Sequence, residues 1–184
     1  MKNNPQIKKF YRIGLKRFAE RGIDGIKIQE ICKEVEVSKS SFYHYFGSKK
    51  GFVEKLFDHW FQITHGDVSK AVDHIDDASE RFLVLKKIID ANEEVEYCFL
   101  QMKLYATTNS KAREIIEKAH KVRFDVLFTI FKMAGQSDDM AEDNAKKMIL
   151  LYYGRVALKH GYSSSSEDIE IDDDHYLQFF DLNI

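Results

Sequence analysis

Proline is nearly absent from this 184-residue chain, which has one, and glycine is scarce at nine. With so few turn formers and few alternating polar–apolar runs, strands find little support and an all-α protein is expected. The two cysteines, Cys32 and Cys98, lie far apart among apolar neighbours. They read as small buried hydrophobes rather than a disulfide. No apolar run approaches the ~20 residues needed to cross a bilayer. The first nine residues hold no apolar stretch of the secretory kind, so no membrane partner is expected and the expected location is the cytoplasm. Glycine-rich phosphate loops and a Gly-x-Ser-x-Gly elbow are missing. The seven histidines are scattered, none paired at i, i+4, so neither a metal site nor a cofactor is expected. Asp138, Asp139, Glu142 and Asp143 crowd together, but acids opening a helix account for them. Nothing here resembles an enzyme's machinery.

Charge is what the chain has, unevenly. The formal net charge is −2, yet residues 1–57 hold 13 Lys+Arg against 6 Asp+Glu, a surplus of seven cations. The remaining residues hold 15 against 24, so a basic head precedes an acidic body. Attraction to phosphate is thereby confined to one end. The chain is long enough to bury a sizeable core, as one domain or two small ones.

Inside the basic head, Ile28, Ile31, Cys32 and Val35 follow the i, i+3, i+4, i+7 rule and share a buried stripe. Glu36 and Val37 interrupt it, and Ser38 stands where an N-cap hydroxyl restarts a helix. In that second helix Phe42, Tyr45 and Phe46 turn inward, leaving Lys39, Ser40, Tyr43 and His44 outside. A helix this short is marginal in water and must be held by neighbours. Its polar, basic, aromatic outer face suits the major groove of double-stranded DNA.

The run from Gly22 to Phe52 resembles the N-terminal domain of the tetracycline-repressor (TetR) family of transcriptional regulators. The family's Ile-Ala pair, Gly-Val-Ser, Tyr-x-x-Phe and Ser-Lys are met in register by Ile31-Cys32, Val37-Ser38, Tyr43-His44-Tyr45-Phe46 and Ser48-Lys49. The likeness is specific over about the first third of the chain. Three residues depart from the pattern: Glu36 replaces a turn glycine where φ > 0 is favoured. Lys27 replaces a Ser or Thr helix cap, and Arg17 takes a usually apolar place in helix one.

The resemblance implies a three-helix helix-turn-helix head at 1–50 and a helical ligand-binding and dimerisation body at 51–184. Lys39, Ser40 and His44 are expected nearest the base edges, beside Ser38, with Tyr43 and Lys49 on phosphates and Lys27 and Gln29 flanking. Helices are expected at about 6–21, from 48 to 63, and at 79–91, 94–107, 110–134, 138–160 and 172–181, with a loop at 163–166. In that family two C-terminal helices of each subunit pair in a dimer, so a homodimer through Met148, Ile149, Tyr152, Phe179 and Phe180 is expected on a palindromic operator. Trp60, Tyr97, Met102, Tyr105, Phe128 and Tyr152 are candidates to line an effector cavity for an apolar or aromatic molecule. Aromatics at helical spacing equally describe a filled core. Three functions follow: a homodimeric repressor released by a ligand, a DNA binder of the same fold without an inducer, and a helical enzyme. The last has no motif behind it.

Overall fold

The computed structural model describes residues 4–91, 93–161 and 173–182, and every regular element among them is helical. Helix α1 spans Pro5–Arg21, opened by Asn4, whose side chain accepts from the Gln6 amide at 2.9 Å. A 3₁₀ turn, Gly22–Gly25, leads to α2 (Ile28–Val35), α3 (Lys39–Phe46) and α4 (Lys49–Phe61). Past the helix expected to end near 63, the chain runs on through a π turn, Gln62–Gly66, into a short helix that the sequence reading lacked, α5 (Asp67–Val72). A π turn inserts an extra residue without ending the helical path, so Gly66 does not act as a stop. Next come α6 (Ala78–Ala91), α7 (Glu93–Tyr105), α8 (Ser110–Met133), α9 (Asp138–Gly161) and α10 (Asp173–Phe179). Expected bounds differ from these by one or two residues, as helix ends do; the loop expected at 163–166 lies outside the described residues.

The chain forms two compact units, residues 1–64 with 94–118, and 65–93 with 119–184. The boundary expected after residue 50 falls just inside α4. In the first unit Phe10 of α1 meets Phe42 and Phe46 of α3 edge-on, with centroids 5.6 and 5.2 Å apart. Phe52 of α4 closes the cluster against Phe46 at 4.8 Å. Such pairs add about 0.5–1.5 kcal/mol each beyond their buried area, and they hold α3, which is too short to persist alone. At Gly14 a Cβ would lie 2.8 Å from the Phe52 ring, so the bare backbone of α1 is what lets α4 seat there.

In the second unit Phe82, Phe131, Tyr176, Phe180 and Leu182 are buried in one apolar core. Helix α10 has seven residues and stays in place through that core and polar ties. Lys86 pairs with Asp173 at 2.9 Å, and Gln136 Nε2 donates to the Phe180 carbonyl at 2.7 Å. Lys86 also pairs with Asp90 at 3.0 Å, and Arg155 of α9 meets the same carboxylate.

The turn between α2 and α3 carries the strain its sequence implies. Glu36 has φ 66° and ψ 46°, in the left-handed region. Its ion pair with Lys9, 3.8 Å long and exposed, offsets little. Left-handed geometry costs a side-chain-bearing residue about 1–2 kcal/mol, and glycine's greater unfolded-state freedom returns about 0.4–1 of that. Glu36→Gly is therefore expected to stabilise the protein by roughly 0.5–1 kcal/mol, raising Tm by about 1–4 °C; calorimetry showing a lower Tm would contradict this.

Candidate DNA-reading surface

Each end of α3 is fixed by a named group. At its start the Ser38 hydroxyl accepts from the Ser41 amide at 3.1 Å, the cap that the sequence places there. At its end Lys55 of α4 donates to the Tyr45 carbonyl at 2.9 Å, where a cation complements the helix dipole. Tyr45 Oη donates to Gln6 Oε1 of α1 at 2.8 Å. Phe42 and Phe46 are buried, while Lys39, Ser40, Tyr43 and His44 are exposed. Tyr43 keeps 49 % of its surface open, a large exposed ring on a short cationic helix.

The second helix flanks this face. Lys39 Nζ donates to Gln29 Oε1 at 3.3 Å, bringing α2 and α3 together at their outer edge. Lys27 precedes α2 with no side-chain cap of its own and is exposed. Ser48 caps α4 by accepting from the Gly51 amide at 2.9 Å. Beside that helix start, Lys49 is exposed and reaches the Ile23 carbonyl at 3.5 Å. The positive end of the α4 dipole, with no acid in its first turn and a lysine beside it, favours a phosphate. The eight residues named from the sequence thus all lie on α2, α3 or the caps and first turn of α4, and all are exposed.

Some contacts escaped the sequence reading. Arg17, noted only as a polar departure, reaches from α1 to α2, with Nη1 2.6 Å from Glu30 and Nη2 3.0 Å from Glu34. The Glu30 hydrogen bond raises the Arg17 guanidinium pKa, and Arg17 in turn holds the Glu30 carboxyl below its ordinary value. Two glutamates at i, i+4 opposite an out-of-place arginine were the available clue. Lys55 and Gln6 carried none. The Cys32 thiol is pushed up by burial, so it is no reactive thiolate.

The effector candidates divide between the units. Trp60 and Met102 are wholly buried in the first, Trp60 stacked on Phe99 at 6.3 Å. Tyr105 meets the edge of Phe57 at 6.1 Å, and Tyr97 is half-buried. Phe128 stacks on Phe124 at 5.8 Å in the second unit, where Tyr152 lies under the Arg123 guanidinium. A hollow of about 510 Å³ between α9 and α10 is lined instead by Leu151, His175, Tyr176, Gln178, Phe179 and Phe180.

The expected dimer residues divide too. Phe179 is 68 % exposed, whereas Met148 and Ile149 are partly buried against the core of their own unit, and Tyr152 is half-buried. Phe180 is a correction: its ring is fully buried 5.5 Å from Phe131, so it is core and not available to a partner. Met140, Leu151 and Leu158 are exposed instead. Spaced i, i+11 and i+18, they fall on one stripe of α9. Among the described residues no cluster suited to a metal ion occurs, and no helix is long and apolar enough to cross a membrane.

Comparison with known proteins agrees with the head's geometry. Residues 14–56 match the family described as bacterial regulatory proteins, tetR family. The HTH-type transcriptional regulator YuxN of Bacillus subtilis is 26 % identical over 109 residues, which are 59 % of this chain and 38 % of that protein. The chain thus spans under two-fifths of that relative's length. IcaR of Staphylococcus aureus, the HTH-type negative transcriptional regulator of the biofilm operon icaADBC, is 27 % identical over 158 residues, 83 % of each chain. A transcriptional regulator from Saccharomonospora viridis, solved in complex with choline, shares the fold with a TM-score of 0.75 at 18 % identity, over 95 % of this chain and 93 % of that one. With its capped and clamped α2–α3 pair, its exposed basic face and this match over residues 14–56, the first part of the chain is a helix-turn-helix head of the kind that the tetR family of bacterial regulatory proteins carries.

Proposed function

We propose that this protein is a cytoplasmic homodimeric repressor whose two heads read a palindromic operator and which leaves it on binding a small apolar or aromatic molecule. The observation that carries the DNA part is the exposed set Lys39, Ser40, Tyr43 and His44 on a helix fixed by Ser38, Lys55 and the phenylalanine cluster. Lys39, Ser40 and His44 read base edges, Tyr43 and Lys49 bind phosphates, and Lys27 and Gln29 flank them. Repression is supported by the likeness to IcaR, named a negative regulator. One head is too small for selective binding, and the exposed Met140, Leu151 and Leu158 of α9 with Phe179 of α10 support pairing with a second copy. That the body takes an effector is supported by the shared fold with a regulator solved with choline; its apolar or aromatic character rests on the candidates Trp60, Tyr97, Met102, Tyr105, Phe128 and Tyr152. A ligand acts by binding the DNA-incompetent arrangement more tightly, and about 1.4 kcal/mol of such preference gives a tenfold loss of affinity.

Salt-dependent mobility shifts test the docking. Lys49→Ala is expected to weaken all duplexes alike and to reduce the slope of log affinity against log salt by about one. His44→Ala is expected instead to change which duplex is preferred. An unchanged slope for Lys49→Ala would contradict the proposed phosphate contact.

A second reading, a DNA binder without an inducer, is favoured by the complete burial of Trp60 and Met102. A fluorescence titration of Trp60 alongside operator release separates the two. Compounds that perturb Trp60 and loosen the operator support the repressor; compounds that never release it support the second reading.

A further inference from the structure

The acid edge of α2 poses a problem for a surface that must meet phosphates. Glu30 follows Lys27 by three residues, and its Oε1 is 3.5 Å from Lys27 Nζ. Its other oxygen, Oε2, is 2.6 Å from Arg17 Nη1. One carboxylate therefore stands between two cations, one on each side. Arg17 is the more firmly placed: its side chain is 24 % exposed and is also held by Glu34 at 3.0 Å from Nη2, whereas that of Lys27 is 60 % exposed. A short charge-assisted bond to guanidinium outweighs a loose contact to an exposed ammonium. In keeping with this, Arg17 is the largest influence holding the Glu30 carboxyl below its ordinary value, ahead of the charge on Lys27.

We infer that Arg17 is a positioning residue for DNA binding that acts through Lys27: by occupying Glu30 it leaves the Lys27 ammonium available to a backbone phosphate. Without Arg17, Lys27 is the cation beside Glu30 in this contact and closes on it, and the phosphate then has to compete with a fixed carboxylate. This also accounts for an arginine at a place in α1 where an apolar residue would pack. The inference rests on the reading above that Lys27 flanks the DNA-reading face, and it adds that Lys27 itself reaches a phosphate; the experiment separates the two.

Affinity and its salt dependence are measured on the duplex that the wild-type protein enriches from a randomised pool, with thermal melts to verify folding. Lys27→Ala is expected to reduce the slope by about one. Arg17→Met is expected to reduce it by about the same amount, with a loss of affinity of roughly fivefold. Adding Glu30→Gln to Arg17→Met is expected to restore both, and Arg17→Met is expected to add nothing to Lys27→Ala. Where methionine is not tolerated, the neutral Arg17→Gln replaces it with the same expected results. A purely structural role for Arg17 predicts the opposite of rescue, since Glu30→Gln removes one more interhelical partner. Failure of the rescue, or an unchanged slope for Arg17→Met, overturns the inference while leaving Lys27 as a contact. An unchanged slope for Lys27→Ala overturns the contact itself, and the inference with it.

Discussion

Gly51→Ala is expected to lower stability by about 2–3 kcal/mol, or roughly 4–12 °C in Tm, and to weaken operator binding at least tenfold. A Cβ on Gly51 would sit 2.4 Å from the carbonyl oxygen of Phe46. That oxygen belongs to the last turn of α3, so no side chain can rotate away to make room. Either α3 or the start of α4 must shift. Such a shift disturbs the Ser48 cap, the Lys55 bond to Tyr45 and the packing of Phe46 on Phe52 together. The residues proposed to read bases ride on α3, so misplacement of this helix is expected to cost DNA affinity beyond the loss of stability. Gly154→Ala is the comparison: it lies in α9 with nothing within 4 Å of the added carbon, and removing glycine from a helix interior is expected to raise monomer stability by about 0.5–1 kcal/mol. Thermal melts and mobility shifts report both. Wild-type melting and affinity in Gly51→Ala would refute the close approach of α4 to α3.

The other large effect lies on α9. Leu151→Asp is expected to yield monomers by light scattering at micromolar concentration and to reduce operator affinity about 10²–10⁴-fold, the range spanned by losing a linked second binding event. Leu151 is 38 % exposed and lines the hollow beside Phe179, which is 68 % exposed. A carboxylate here remains solvated in a single chain, so the monomer is expected to keep its fold, but it carries a large desolvation cost into a paired face. Phe180→Asp would report something else, since that ring is in the core and its loss unfolds the second unit. Dimers of Leu151→Asp indistinguishable from wild type would place the pairing surface elsewhere.

What the sequence made legible follows from which forces are local. The α2–α3 pair was readable because its apolar period, the Ser38 cap and the left-handed Glu36 are properties of adjacent residues. Lys39, Ser40, Tyr43 and His44 followed from the same helical phase, and Lys27, Gln29, Ser38 and Lys49 from the resemblance to the family. Arg17 was visible as an anomaly but not as a partner of Glu30 and Glu34, because that contact joins residues 13 and 17 positions apart. Helix α5 was missed because a glycine and polar neighbours look like a stop unless a π turn carries the path on. Phe179 and Phe180 differ by one position at the end of a seven-residue helix, and about 100° of rotation decides which is buried. No sequence period is long enough there to set that phase. The aromatics of the body follow core and cavity spacing equally well, so their spacing assigns them neither role, and the full burial of Trp60 and Met102 fits both.

Selection of duplexes from a randomised pool, followed by a footprint on the enriched sequence, tests the central claim directly. A dyad-related pair of such heads is expected to enrich one motif with two-fold symmetry, its half-sites centred about 34–36 Å apart or at a related spacing, with a preference altered by His44→Ala or Ser40→Ala. A pool that stays random, or an enriched motif read equally well when Lys39, Ser40, Tyr43 and His44 are all alanine, would contradict it.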